Sequence, residues 1–192
     1  MNQMTTADAI LDHAQKLIVA GGYNGFSYGD ISDAIGIRRA SIHHHFPTKA
    51  RLVSVLVERY VGRAREGLES IKTHVDDPAA QIGAYLDYWQ QCVTDGAQPF
   101  CVCAMLASEM QMLPDEVAAQ VRRHFANLSE WLASVLQSGV EKGVFRLKGS
   151  PEEEAQILMA AVHGALLSAR AFADPDIFRA IMRPQMERLR PV

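Results

Sequence analysis

Between Ser27 and Pro47 the chain carries two short apolar-periodic stretches joined across Gly36, and this pair constrains the fold more than any other feature. Ser27 and Asp30 have the spacing of a capping box, which predicts a helix start. Ile31, Ala34 and Ile35 then recur on one face until Gly36 ends the helix. A second helix from about Arg39 to His45 must stop ahead of Pro47, because the residue before a proline is pushed out of the α region. Upstream, Thr5 and Asp8 offer another capping box, followed by Ile10, Leu11, Ala14, Leu17 and Ile18 on one face and a stop at Gly21 and Gly22. Two short helices, a tight turn at a glycine and a packing helix ahead of them describe a helix-turn-helix. Folding Ile31, Ala34, Ile35, Ile37, Ile42 and Phe46 inward leaves Arg38, Arg39, Ser41, His43 and His44 at the start and outer face of the second helix. Those are the positions that this motif places in the major groove of DNA.

Helical periodicity continues to the end of the chain, and no alternating strand pattern or internal repeat occurs. Thr48 caps a long fourth helix through Leu52, Val55, Leu56 and Tyr60 to about Thr73. Further helices are predicted over 78–95, 100–111, 115–143, 151–172 and 175–189, punctuated by prolines and glycines. The fold class is all-α: a three-helix DNA-binding domain over 1–50, then a larger helical domain over 51–192. Charge divides along similar lines. Residues 1–65 hold eight Lys/Arg against five Asp/Glu, whereas the remainder holds eleven against seventeen. Gly36–Arg51 carries Arg38, Arg39, Lys49 and Arg51 with no acid, as a segment meeting a polyanion would.

Seven pairs fall in one register across this region: Gly22 and Tyr23, Ser27 and Tyr28, Ile31 and Ser32, Gly36 and Ile37, Ser41 and Ile42, His45 and Phe46, Thr48 and Lys49. On these residues the chain resembles the TetR family of bacterial transcriptional regulators, over about residues 5–65. It departs from the family pattern at Arg38, where a small hydroxyl residue would cap the recognition helix, and at Ala40, His43 and Arg51. The resemblance implies that Ser27 and Tyr28 touch phosphate and that Lys49 does the same. Arg39, Ser41 and His44 would face bases or the flanking backbone, Arg38 either, and His43 stands where the family has a phosphate-contacting tyrosine. It further implies a homodimeric, cytoplasmic regulator on a near-palindromic double-stranded DNA operator, most simply a repressor released by a small-molecule effector. An architectural DNA binder of the same fold without an effector, and a repressor sensing electrophiles or oxidants through a thiol, remain as alternatives.

The middle of the chain is rich in residues that line either a core or an effector pocket: Tyr85, Tyr88, Trp89, Cys92, Phe100, Cys103, Met105, Met110 and Met112, with Glu109 or His124 as a polar anchor. Two later helices offer a dimer face. Leu128, Leu132 and Leu136 form an apolar row on one, and Ala160, Gly164 and Ser168 form a small-residue row on the other. Three cysteines are too few for a disulfide framework and point to a reduced, cytosolic compartment. Cys101 and Cys103 are read either as packed thiols or as a sensor, since they lack zinc-type spacing. His43, His44 and His45 splay about 100° apart on a helix and cannot converge on one metal ion, so no metal or other cofactor is expected. His45 is expected to bond within the motif. No signal peptide is visible, and Ala155–Ala169 is too short for a membrane span and reads as a buried helix. No P-loop, dinucleotide fingerprint, zincin motif or nucleophile elbow occurs, so the chain does not read as an enzyme.

Overall fold

The computed structural model describes residues 5–96 and 100–191, and among these it is built of helices without a strand. Nine α-helices follow in order: α1 Thr6–Gly21, α2 Tyr28–Ile35, α3 Arg39–His45, α4 Lys49–His74, α5 Pro78–Asp95, α6 Val102–Ala107, α7 Asp115–Glu141, α8 Pro151–Phe172 and α9 Asp176–Leu189. A 3₁₀ turn at Met110–Met112 lies between α6 and α7. Both capping boxes form as their spacing demands, Thr5 with Asp8 and Ser27 with Asp30, and Ser150 with Glu153 adds a third at the start of α8. Gly36 closes α2 at φ 70°, in the left-handed region that glycine enters without strain. The long helix predicted over 100–111 breaks instead after Ala107. There the Ser108 hydroxyl donates to the Met105 carbonyl at 2.7 Å, and Glu109, at φ −114° and ψ 18°, turns out of the helical register.

The residues group into two compact units, one of the chain up to Gly62 with Cys101–Arg123, the other of Arg63–Phe100 with the chain from His124 onward. In the first unit α1 packs on α2, α3 and α6, and α2 packs on α3. Ile10, Ala14, Ile18, Ile31, Ile42, Leu52 and Leu56 are fully buried, with Phe26 and Phe46 nearly so. Ala34, expected to face inward, is exposed, while Ile35 and Ile37 are half-buried. Arg59 of α4 fastens α1 by ion pairs to Asp12 at 2.6 Å and Asp8 at 3.5 Å.

In the second unit α8 packs on α5 and α9, and α5 also meets α9. Leu128, Leu132 and Leu136 are buried here, so the α7 row expected to face a partner is spent on the protomer's own core. Only one face of α8 is buried, by Ala155, Leu158, Val162, Ala165, Leu166 and Ala169. Its other face leaves Ile157, Leu167 and Phe172 at 47%, 58% and 74% exposure, beside exposed Ala160 and Gly164. The reading of this stretch as a buried helix therefore holds for one side alone. By length and composition α8 could cross a bilayer, yet its first turn carries Glu154 buried in an ion pair.

That pair joins α8 to α9 in a two-pronged geometry. Arg188 Nη1 donates to Glu154 Oε1 at 3.0 Å and Nη2 to Oε2 at 2.7 Å, while Lys148 N donates to Oε1 at 3.3 Å. Arg188 holds the Glu154 carboxyl below its usual range, so its stabilisation is present at neutral pH and is lost as pH falls through the lowered value. Replacing Arg188 by Met strands a buried carboxylate and is expected to destabilise the fold by about 3 kcal/mol, whereas Glu154→Met with Arg188→Met recovers most of that loss. Urea melts of the three proteins check this. Equal losses in the single and double variants would contradict it.

Candidate nucleic-acid interface

Ile42 is the buried anchor of α3, and it turns the rest of that helix outward: Arg38, Arg39, Ser41, His43, His44 and His45 are all exposed. Arg38 occupies the cap position of α3 with extended backbone and no side-chain cap bond, as the missing hydroxyl residue predicts. The second helix starts on Ser27, whose hydroxyl is engaged with Gly29 N at 3.2 Å and Asp30 Oδ2 at 2.8 Å. Tyr28 is tied inward. Its hydroxyl donates to the Phe46 carbonyl at 2.7 Å, and its ring lies 4.7 Å from that of His43. Burial first, and Tyr23 second, push this hydroxyl up to about 12, so it remains a donor. The bond within the motif expected of His45 is made by Tyr28 instead. The His45 ring is exposed and meets the rings of His44 at 5.7 Å and Phe46 at 6.4 Å.

Arg39, though exposed, and half-buried Lys49 both reach neighbouring groups of the first unit. Arg39 lies over the start of α2, where a Cβ on Gly29 would come within 2.6 Å of its Nη2, and its charge helps hold Asp30 low after the Ser27 hydrogen bonds. Lys49, half-buried, donates to the Phe26 carbonyl and sits over the rings of Tyr23 and Phe26, 5.1 and 4.1 Å from their centroids. Burial lowers its ammonium, and Glu109 and Asp30 oppose that shift. Ser27, Tyr28, Arg38, Arg39, Ser41, His43, His44 and Lys49 thus lie on α2, α3 and the first turn of α4, within one unit.

The pocket candidates divide between the two units. Tyr85, Tyr88, Trp89, Cys92, Phe100 and His124 lie in the second unit, Cys103 and Met110 in the first. Cys101 and Cys103 are fully buried, and the Tyr60 hydroxyl donates to Cys101 Sγ at 3.3 Å. Burial pushes both thiols up, so both are protonated at neutral pH. The Glu109 carboxylate accepts from Tyr23 N at 2.5 Å. Within the second unit Tyr88 is half-exposed against the edge of Trp89, Cys92 is half-buried, and Phe100 lies under Arg170 with 5.7 Å between guanidinium and ring. Tyr85 and Trp131 rings approach to 5.8 Å. Trp131, which the sequence reading passed over, has a buried indole N–H without a protein acceptor, and so does Trp89. His163, also passed over, bonds the Met159 carbonyl through Nδ1 at 2.9 Å and leaves Nε2 buried and unpartnered. Nothing in a single sequence marks an apolar-face tryptophan as lacking an acceptor.

His124 is buried and edge-on to Phe125, 5.5 Å between ring centroids. Burial, then the neighbouring His163, lowers it to about 4. The unfolded chain takes up this proton near pH 6.5 and the folded chain does not, so stability falls with acidification between pH 6.5 and about 4. His124→Gln is expected to remove about 1.4 kcal/mol per pH unit from that slope near pH 5, read from urea melts at stepped pH. An unchanged slope would contradict the buried neutral state.

Comparison with known proteins agrees with this geometry. Residues 10–56 match the model of bacterial regulatory proteins of the tetR family, and residues 78–184 match that of the tetracyclin repressor-like C-terminal domain. A transcriptional regulator of the TetR family from Agrobacterium tumefaciens is 50% identical, with a TM-score of 0.94 over 96% of this chain and 97% of that one. A TetR transcriptional regulator from Legionella pneumophila is 28% identical, with a TM-score of 0.88 over 99% of this chain and all of that one. The transcriptional repressor NemR of Escherichia coli is 24% identical over 181 residues, 88% of each chain. An outward-facing α3 on a buried Ile42, with both halves of the chain matched, leaves one conclusion: the chain belongs to the TetR family of bacterial transcriptional regulators.

Proposed function

We propose that this protein is a cytoplasmic repressor that binds a near-palindromic operator as a homodimer and lets go when a small molecule occupies its second unit. The observation that carries the reading is the exposed, cation-bearing leading edge of α3 held on a fully buried Ile42. DNA binding is assigned to residues 1–50, and effector binding and dimerisation to 51–192. Arg38 makes no side-chain cap bond and projects from the α3 start, which suits a bidentate contact with guanine N7 and O6. Arg39 and Lys49, folded against the start of α2 and the Phe26 carbonyl, suit phosphate, with Ser27 and Tyr28 beside them. Ser41, His43 and His44 complete the face.

Arg38→Ala is expected to cost about 1–3 kcal/mol per half-site on an operator selected from randomised duplexes, and to relax preference at one base pair. Arg39→Ala and Lys49→Ala are expected to weaken operator and scrambled DNA alike, each flattening the salt dependence by about 2 in a two-headed dimer. Salt titrations on both DNAs check the division. The same loss on both DNAs for all three variants would refute it.

The partner surface we assign to the exposed side of α8, with Ile157, Ala160, Gly164, Leu167, Ser168 and Phe172. A face this apolar on a free helix favours a second copy across a two-fold axis. Sedimentation is expected to show a dimer and Leu167→Glu a monomer. A native monomer at micromolar concentration would refute this.

For the effector, the buried indole N–H groups of Trp89 and Trp131 support a small molecule with hydrogen-bond acceptors, and His163 Nε2, an acceptor while Nδ1 donates to the Met159 carbonyl, supports one donor, because unpartnered polar groups are costly to bury. The chain has two tryptophans, so a compound that releases operator is expected to shift their emission as well. Release without any change in emission would place the effector elsewhere.

A further inference from the structure

The chain between α1 and α2 is held by two residues remote in sequence. Gly22 ends α1 with its N–H on the Ile18 carbonyl at 2.8 Å and with φ 76° and ψ −169°, a conformation in practice reserved for glycine. That geometry turns the next amide, Tyr23 N–H, away from any helical acceptor. Glu109 supplies one at 2.5 Å from a position 86 residues away. The fit is close: a Cβ on Gly22 would collide with the Glu109 carboxylate. The Lys49 ammonium caps the Phe26 carbonyl and covers the Tyr23 and Phe26 rings. All of these residues belong to the first unit.

We infer that Glu109 is a positioning residue for DNA binding: by accepting the Tyr23 amide it fixes the Gly22–Phe26 chain, and with it the Ser27 start of α2 and the seat of Lys49. Glu109 does not touch DNA. It acts through pre-organisation, since a loop ordered before binding does not have to be ordered by the operator. The contact is charge-assisted and half-buried, so it is stronger than a bond between neutral groups in water. Because Glu109 stands where α6 gives way to the 3₁₀ turn, withdrawing that segment would free the Tyr23 amide and loosen both phosphate-facing groups together. The inference rests on the proposed phosphate role of Lys49, and the experiment separates the two.

The test is a salt titration of operator binding by the full-length protein for Glu109→Ala, Glu109→Gln, Lys49→Ala and the Glu109→Ala, Lys49→Ala double variant, with thermal melts alongside. Glu109→Ala is expected to lose about tenfold in operator affinity, and to lose about as much salt slope as Lys49→Ala, with no further slope lost in the double variant. Glu109→Gln keeps the reach and an acceptor oxygen, and is expected to stay within about threefold of the native protein. A merely structural role would lower the melting temperature without moving the slope. A folded Glu109→Ala protein with native affinity and slope would overturn the inference, as would a Glu109→Gln loss as deep as that of alanine. Should the alanine variant not fold, Glu109→Asp replaces it with the same expectation, being one methylene short of the Tyr23 amide. An unchanged slope in Lys49→Ala would refute the phosphate role alone, and Glu109 is then judged on affinity.

Discussion

Helices of eight and seven residues do not persist alone in water, so α2 and α3 exist only while they are sealed against α1. Ile31, Ile42 and Phe46 on one side, and Ile10, Ala14 and Ile18 on the other, make that seal. The rest of the DNA-facing geometry follows from it. Ile42 fixes which way α3 turns, and so which side chains reach outward. The Tyr28 hydroxyl then pins the end of α3 through the Phe46 carbonyl. Polar contacts refine a position that apolar burial has already chosen. In this head the caps, the Lys49 bond and the Glu109 bond all act on the turns between helices rather than on the helices themselves.

The second unit solves a different problem. It must pack long helices while keeping some polar groups without partners. Glu154 and Arg188 show the ordinary answer, a buried charge matched prong for prong. Trp89, Trp131 and His163 show the other, buried donors and an acceptor left open. A ligand that satisfied such groups would gain binding energy from a cost already incurred.

Much of the head was legible in the sequence because its signals are local. Capping boxes three residues apart, a glycine turn and a proline stop each act within a few positions, and Thr5, Ser27, Gly36 and Pro47 all do what their chemistry requires. The misreadings come from contacts that spacing cannot carry. Leu128, Leu132 and Leu136 recur at helical spacing whether the face meets the protomer's own core or a second copy, and here they meet the core. The Glu109 carboxylate just past the α6 break finds its partner 86 residues earlier, a link no local pattern carries. The bond of Lys49 to the Phe26 carbonyl and the place of the exposed Arg39 guanidinium beside Gly29 are likewise links that periodicity does not show.

Amide hydrogen exchange with and without an operator duplex reads out whether α3 and the start of α2 form the surface this protein presents to DNA. New protection is expected over Ser27–Asp30 and Arg38–His44, with the amides of α5 and α9 unchanged. Protection confined to other helices, with α3 exchanging as in the free protein, would contradict it.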